Sequence, residues 1–93
     1  MKFAIQTTTR FNKDFKRCKK RGYPMQKLME VVALLEQDQP LPPNCLPHKL
    51  TGYANGDIWE CHIQPDWLLI WKRIEDELIL LMLNTGTHSD LFK

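Results

Sequence analysis

An α+β fold is predicted, in the order β-α-α-β-β-β: an antiparallel meander sheet with an N-terminal helical hairpin packed on it. Three observations predict it. Apolar residues recur at helical spacing twice in the first 37 positions, as Phe11-Phe15-Cys18 and as Leu28-Val31-Val32-Leu35. From residue 57 onward, three β-forming runs are separated by two tight turns. A chain of 93 residues is one domain, 1–93, with room for a modest core.

Residues 2–6 alternate polar and apolar and read as a short strand. Thr7-Thr8-Thr9 offers hydroxyls that can accept from a free helix N–H, so a first helix starts there. Phe11, Phe15 and Cys18 form its buried stripe, while Lys13, Lys16 and Lys20 face water. Lys19, Lys20 and Arg21 complement the helix dipole in the last turn. Gly22 can take the left-handed conformation that ends the helix. Pro24 suits the first turn of a second amphipathic helix that ends near Gln37.

Periodicity then disappears across residues 38–56. Pro40, Pro42, Pro43 and Pro47 forbid regular structure, and Gly52, Asn55 and Gly56 mark turns. So long a loop is usually functional or disordered. It carries Cys45 and His48, with a short strand expected around residues 48–50.

In the strand 57–63, parity puts Trp59, Cys61 and Ile63 on the core face. Glu60 and His62 share the other face with Ile58. Pro65-Asp66 is good turn chemistry. Residues 67–73 are apolar nearly throughout and read as a central strand. Glu75-Asp76 turns the chain into a third run, 78–83, expected to be covered on both faces. Thr87-His88-Ser89-Asp90 can cap a final helical turn bearing Leu91 and Phe92.

Charge is uneven beneath a formal net of +2. Nine of the thirteen lysines and arginines precede residue 28, against one acid, Asp14. A basic front fits an anionic partner, although from charge alone a solvated helix face is the favoured explanation. Three cysteines without a C-x-x-C argue against a disulfide scaffold and fit a reducing cytoplasm. Met1 leads straight into charged and β-forming residues, so no signal peptide is expected. Neither apolar run approaches the ~20 residues of a membrane helix. Cys45, His48, Cys61 and His62 imitate a zinc set. However, adjacent strand residues point to opposite faces, and the spacing matches no standard signature.

What remains is a set of three histidines, an aspartate and aromatics. Each has a plain structural explanation: a half-exposed strand histidine, a turn aspartate bonding its own backbone, core tryptophans. Together they match the parts list of RNA cleavage. The substrate's 2′-OH is the nucleophile, so the protein needs only a base, an acid and donors for the phosphorane. Histidine suits these tasks near neutral pH.

The run His62-Ile63-Gln64-Pro65-Asp66-Trp67-Leu68-Leu69-Ile70-Trp71, with Thr85-Gly86-Thr87-His88-Ser89-Asp90-Leu91-Phe92, resembles the YafQ-type toxins of the RelE/ParE superfamily of bacterial toxin–antitoxin systems. The motifs are H-x-x-P-D-W-[LI]-L-I and T-G-[ST]-H-x-x-L-F. His48 before Leu50 and Gly52 fits the family's H-x-L-x-G segment. The resemblance implies a RelE-like fold and a ribosome-dependent mRNA endonuclease that enters the A site and needs no metal and no cofactor. It also implies a cognate antitoxin, 70S ribosome and mRNA as partners, and operator DNA only through the antitoxin. By matching position it implicates His48, His62, Asp66 and His88 in proton transfer and phosphate stabilisation. His88 and Asp66 are placed closest to proton transfer, and His48 and His62 on the phosphate. Trp67 and Phe92 would position the RNA, and Lys16, Lys19 and Lys20 would meet ribosomal RNA. Trp59 stands where relatives often carry Arg, so a phosphate cation is expected to be missing, with Lys49 as a substitute. Trp71 replaces the usual Tyr, a core change.

Two other readings stay open. One is a non-catalytic inhibitor of a protein target such as gyrase, as in ParE-type relatives. The other is a degenerate toxin, motivated by Trp59, acting as an antitoxin-binding co-repressor.

Overall fold

The computed structural model describes residues 2–50 and 57–92. The turn signals at Gly52, Asn55 and Gly56 lie outside them. Strand β1 (Ala4–Thr7) leads into helices α1 (Thr9–Lys20) and α2 (Met25–Glu36). A 3₁₀ turn, Pro43–Cys45, precedes the short strand β2 (His48–Lys49). Strands β3 (Ile58–Gln64), β4 (Trp67–Ile74) and β5 (Ile79–Gly86) form the meander. One helical turn, α3 (His88–Leu91), follows.

Local chemistry sets the boundaries. The Thr8 hydroxyl accepts from the Phe11 N–H at 2.9 Å and caps α1. Gly22, at φ +84°, ends it in a Schellman motif: the Tyr23 N–H donates to Cys18 O and the Gly22 N–H to Lys19 O. Pro24 takes the N-cap position rather than the first turn, and α2 begins at Met25.

The sheet order is β1-β5-β4-β3-β2, which places β4 at the centre as its composition predicts. Strands β2 to β5 pair antiparallel, but β1 joins β5 in parallel. Alternation specifies a strand's faces, not its neighbour or direction, so the meander reading did not contain this pairing. Leu78, placed by sequence at the start of the third run, lies outside β5 at φ +53° and closes the turn Glu75–Glu77. Leu81 is only half-buried, so β5 is not covered on both faces along its length.

One apolar cluster joins Phe11, Cys18, Leu28 and Val31 of the helices to Cys61, Ile63, Leu69, Trp71, Leu80 and Met82 of the sheet. The parity of β3 is therefore as read. Its other face carries Glu60 and His62, which pair across β4 with Ile70 and Leu68. Both β4 residues are buried and form an apolar floor beneath the polar groups.

Candidate active site

Register brings the histidines to this second face. His48 lies opposite Glu60, and Glu60 and His62 are two residues apart on β3. Directly paired side chains share a face, so His48 and His62 are diagonal neighbours, roughly 7–8 Å apart by sheet geometry. His88 arrives from α3: its ring centroid is 5.9 Å from that of His62 and 6.3 Å from that of Phe92. Three imidazoles distant in sequence thus occupy one surface, edged by a half-exposed Phe92.

Each ring is anchored through Nδ1. His62 Nδ1 faces the Pro65 carbonyl at 3.2 Å, and His88 Nδ1 faces Asp66 Oδ1 at 2.9 Å. A carbonyl or carboxylate only accepts, so both Nδ1 atoms carry the proton. The Nε2 atoms have no protein partner among the described residues and are free for a substrate. Hydrogen bonds from the His88 ring and backbone hold the Asp66 carboxyl below its ordinary range. His48 differs. Its Nδ1 faces Leu46 O at 3.1 Å and its Nε2 faces Glu60 Oε1 at 3.2 Å, so a proton is held between ring and carboxyl. Glu60 is 6% exposed, whereas the His48 side chain is half exposed, so the pair lies at the surface with its carboxylate end buried.

The turn bearing His88 is held by the cap expected from sequence and by charged groups that sequence reasoning passed over. The Thr87 hydroxyl and the Asp90 carboxylate form a reciprocal capping box. Arg21 donates twice to Asp90, at 2.7 and 3.2 Å. That guanidinium and the Thr87 donors hold the Asp90 carboxyl well below the usual carboxylate range. Arg17 Nη2 reaches the Thr85 carbonyl at 3.3 Å and Asp14 at 3.1 Å. Asp14, fully buried, also accepts from the Thr85 N–H at 3.2 Å. Helix α1 therefore grips the strand end from which His88 projects. The signal was present: the lone acid of the basic front stands four residues after Arg10 and three before Arg17.

Several expected roles are corrected. Trp67 is 1% exposed and donates its indole N–H to Thr85 Oγ1 at 2.8 Å, so it is a core residue that cannot lie against RNA. Lys49 pairs with Asp57 at 2.7 Å, and its register opposite Trp59 turns it to the face away from His48. Trp59 packs against the helix-side core, so its position removes no cation from the histidine face. Lys16, Lys19 and Lys20 are exposed on α1.

Other features hold less chemistry. A cavity of about 140 Å³ on the helix side, lined by Phe3, Trp59 and Trp71, has as charged groups only Asp38 and Arg73, which pair at 3.5 Å. Burial pushes the Cys61 thiol up to about 12. No group of three or more His, Cys, Asp or Glu is poised to share a metal ion among the described residues. No helix there is long and apolar enough to cross a membrane.

Known proteins share this arrangement. A family model described as a bacterial toxin of type II toxin–antitoxin systems, YafQ, matches residues 3–93. The mRNA interferase toxin YafQ of Escherichia coli strain K12 is 38% identical over 89 residues, 95% of this chain and 94% of that protein. A chain of the E. coli DinJ–YafQ toxin–antitoxin complex superposes with a TM-score of 0.89 at 34% identity, covering 100% of both chains. A metal-bound toxin from Helicobacter pylori superposes with a TM-score of 0.90 at 38% identity, covering 99% of this chain and 100% of that one.

Proposed function

The chain belongs to the YafQ family of bacterial toxins of type II toxin–antitoxin systems, and from that premise we propose that it is a ribosome-dependent endoribonuclease. It would cleave mRNA in the A site without a metal and be neutralised by a cognate antitoxin. The relative named mRNA interferase and the one solved in complex with DinJ support the activity and the partner. The observation that carries the reading is the pair of uncommitted Nε2 atoms on His62 and His88, whose rings are 5.9 Å apart.

The two rings differ in what stands behind them. An imidazolium at position 88 has the Asp66 carboxylate 2.9 Å from Nδ1, whereas one at position 62 has only a neutral carbonyl. The carboxylate stabilises a charged ring at position 88, so His88 is assigned to enter protonated as the acid and His62 to act as the base. His62 Nε2 takes the 2′-OH proton, O2′ attacks phosphorus, the P–O5′ bond breaks, and His88 Nε2 protonates the leaving O5′. The products are a 2′,3′-cyclic phosphate and a 5′-hydroxyl. His48, held on the same face by the Leu46 carbonyl and Glu60, would offer a ring N–H dipole toward the phosphorane. Phe92, half-exposed next to His88, offers a stacking face.

Mapping mRNA 5′ ends on ribosomes from cells expressing wild type or His88→Ala tests this. Loss of a general acid costs about 10²- to 10⁴-fold, so cuts should vanish in the variant. Undiminished cuts would remove His88 from the mechanism. Chelator treatment of the toxin before it meets ribosomes should leave its rate unchanged. No observation favours the protein-target or co-repressor readings, and the location of Trp59 removes the motive for the latter.

A further inference from the structure

Beside the histidines lies a cavity of about 410 Å³ that the proton-transfer scheme does not use. Lys27 of α2, Asn44 and Leu46 of the connecting loop, and His62, Gln64 and Pro65 around the β3–β4 turn line it. Two of its lining residues also support the catalytic rings: the Leu46 carbonyl holds His48, and the Pro65 carbonyl holds His62.

The register of β3 slips between His62 and Gln64, a bulge of the kind that re-aims side chains beside active sites. Leu46 is held at φ +47°, where a bulky residue is rarely found, and is 61% exposed. This left-handed residue closes the turn Pro43–Cys45, its N–H donating to Pro43 O, and leaves the apolar side chain exposed where it lines the cavity.

We propose that this cavity is a nucleobase subsite flanking the cleaved phosphate. The inference rests on the endonuclease reading above. Its volume suits one nucleotide. Leu46 supplies an apolar contact for the base. The carboxamides of Asn44 and Gln64 each offer a donor and an acceptor, the combination that reads a base edge. Lys27 supplies the cation for the adjoining phosphate. The subsite gives the toxin a sequence preference of its own, separate from codon–anticodon pairing, at one position next to the cut.

The test is cleavage mapping in a purified translation reaction programmed with mRNAs randomised around the A-site codon. Wild type, Asn44→Ala, Gln64→Ala and Lys27→Ala are compared after thermal melting confirms that each is folded. The carboxamide variants should lose at least about fivefold of the base preference at one flanking position, with other positions unchanged. Lys27→Ala should slow cleavage uniformly across sequences. Preferences identical to wild type at every position in both carboxamide variants would overturn the subsite while leaving the endonuclease standing. Absence of cuts by the wild type would instead overturn the endonuclease reading, and the subsite with it.

Discussion

His88 and Asp66 are joined twice through a single carboxylate oxygen. Asp66 Oδ1 accepts from the His88 ring at 2.9 Å and from the His88 backbone N–H at 3.3 Å. One contact fixes the ring's tautomer and the other fixes where α3 begins.

Asp66→Asn should therefore cut the cleavage rate by about 10²- to 10⁴-fold, the range for loss of a general acid–base element. The carboxamide can keep the accepting oxygen but not the charge that stabilises an imidazolium. Thermal stability should hardly change, because the Asp66 side chain is 70% exposed. Single-turnover cleavage together with a melting curve checks both halves.

Acid should loosen the C-terminal turn. Asp66 and Asp90 both have folded-state pKa values below the ordinary 3.8. For a depressed carboxylate, the stabilisation is fully present above the unfolded value and is lost as pH falls through the folded value. The docking of α3 should thus persist at pH 5 and fail only below about pH 3.8, Asp66 releasing before the more strongly held Asp90. Following the His88 and Phe92 ring signals by NMR during acid titration reads this directly. Release near neutral pH would contradict it.

Asp14→Ala should be among the most destabilising single changes. It leaves the Thr85 N–H and the Arg17 guanidinium without their buried acceptor. Leaving the buried Thr85 N–H unpaired costs about 1–3 kcal/mol, and the Arg17 guanidinium, one third exposed, adds less because water screens it. For a chain this size each kcal/mol lowers Tm by about 4–8 °C, so a fall of at least about 5 °C is expected. A melt followed by circular dichroism decides it.

Those outcomes separate what sequence could and could not supply. Helical stripes, the Gly22 stop, the parity of β3, the Pro65-Asp66 turn and the Thr87–Asp90 cap are local patterns, and local patterns are legible. His48, His62 and His88 could be nominated for the same reason. The parallel docking of β1, the face taken by Lys49 and the burial of Trp67 depend on which strand lies beside which, and at what offset. A two-residue strand such as β2 carries too little alternation to fix its own register. Asp14 received no role from sequence, because its acceptor role depends on a strand seventy residues away.

Charge reversal on α1 probes the other proposed contact. Lys16, Lys19 and Lys20 are exposed and form no ion pair among the described residues. Changing all three to Glu should leave the melting curve nearly unaltered and weaken cosedimentation with ribosomes. The salt dependence of that binding should also flatten as phosphate contacts are lost. Undiminished pelleting at every salt concentration would assign the basic front to solvation alone.

Gly86 and Gly22 make a matched pair for the last prediction. Both have positive φ, +153° and +84°. At Gly22 a Cβ would meet nothing within 4 Å, so Gly22→Ala carries only the conformational cost of about 1–2 kcal/mol. At Gly86 a Cβ would stand 2.9 Å from Asp90 Oδ2 and 3.0 Å from Arg17 Nη2. Neither neighbour can easily yield. Asp90 is held by Arg21 and the Thr87 N–H, and Arg17 by Asp14 and Thr85. Gly86→Ala must therefore displace the turn that carries His88. Gly22→Ala should lower Tm and keep the cleavage rate per folded molecule. Gly86→Ala should lower Tm and also lose at least about tenfold in rate, because a displacement of an ångström at the proton donor is enough. Equal rates for the two folded variants would show that the glycine serves the backbone alone.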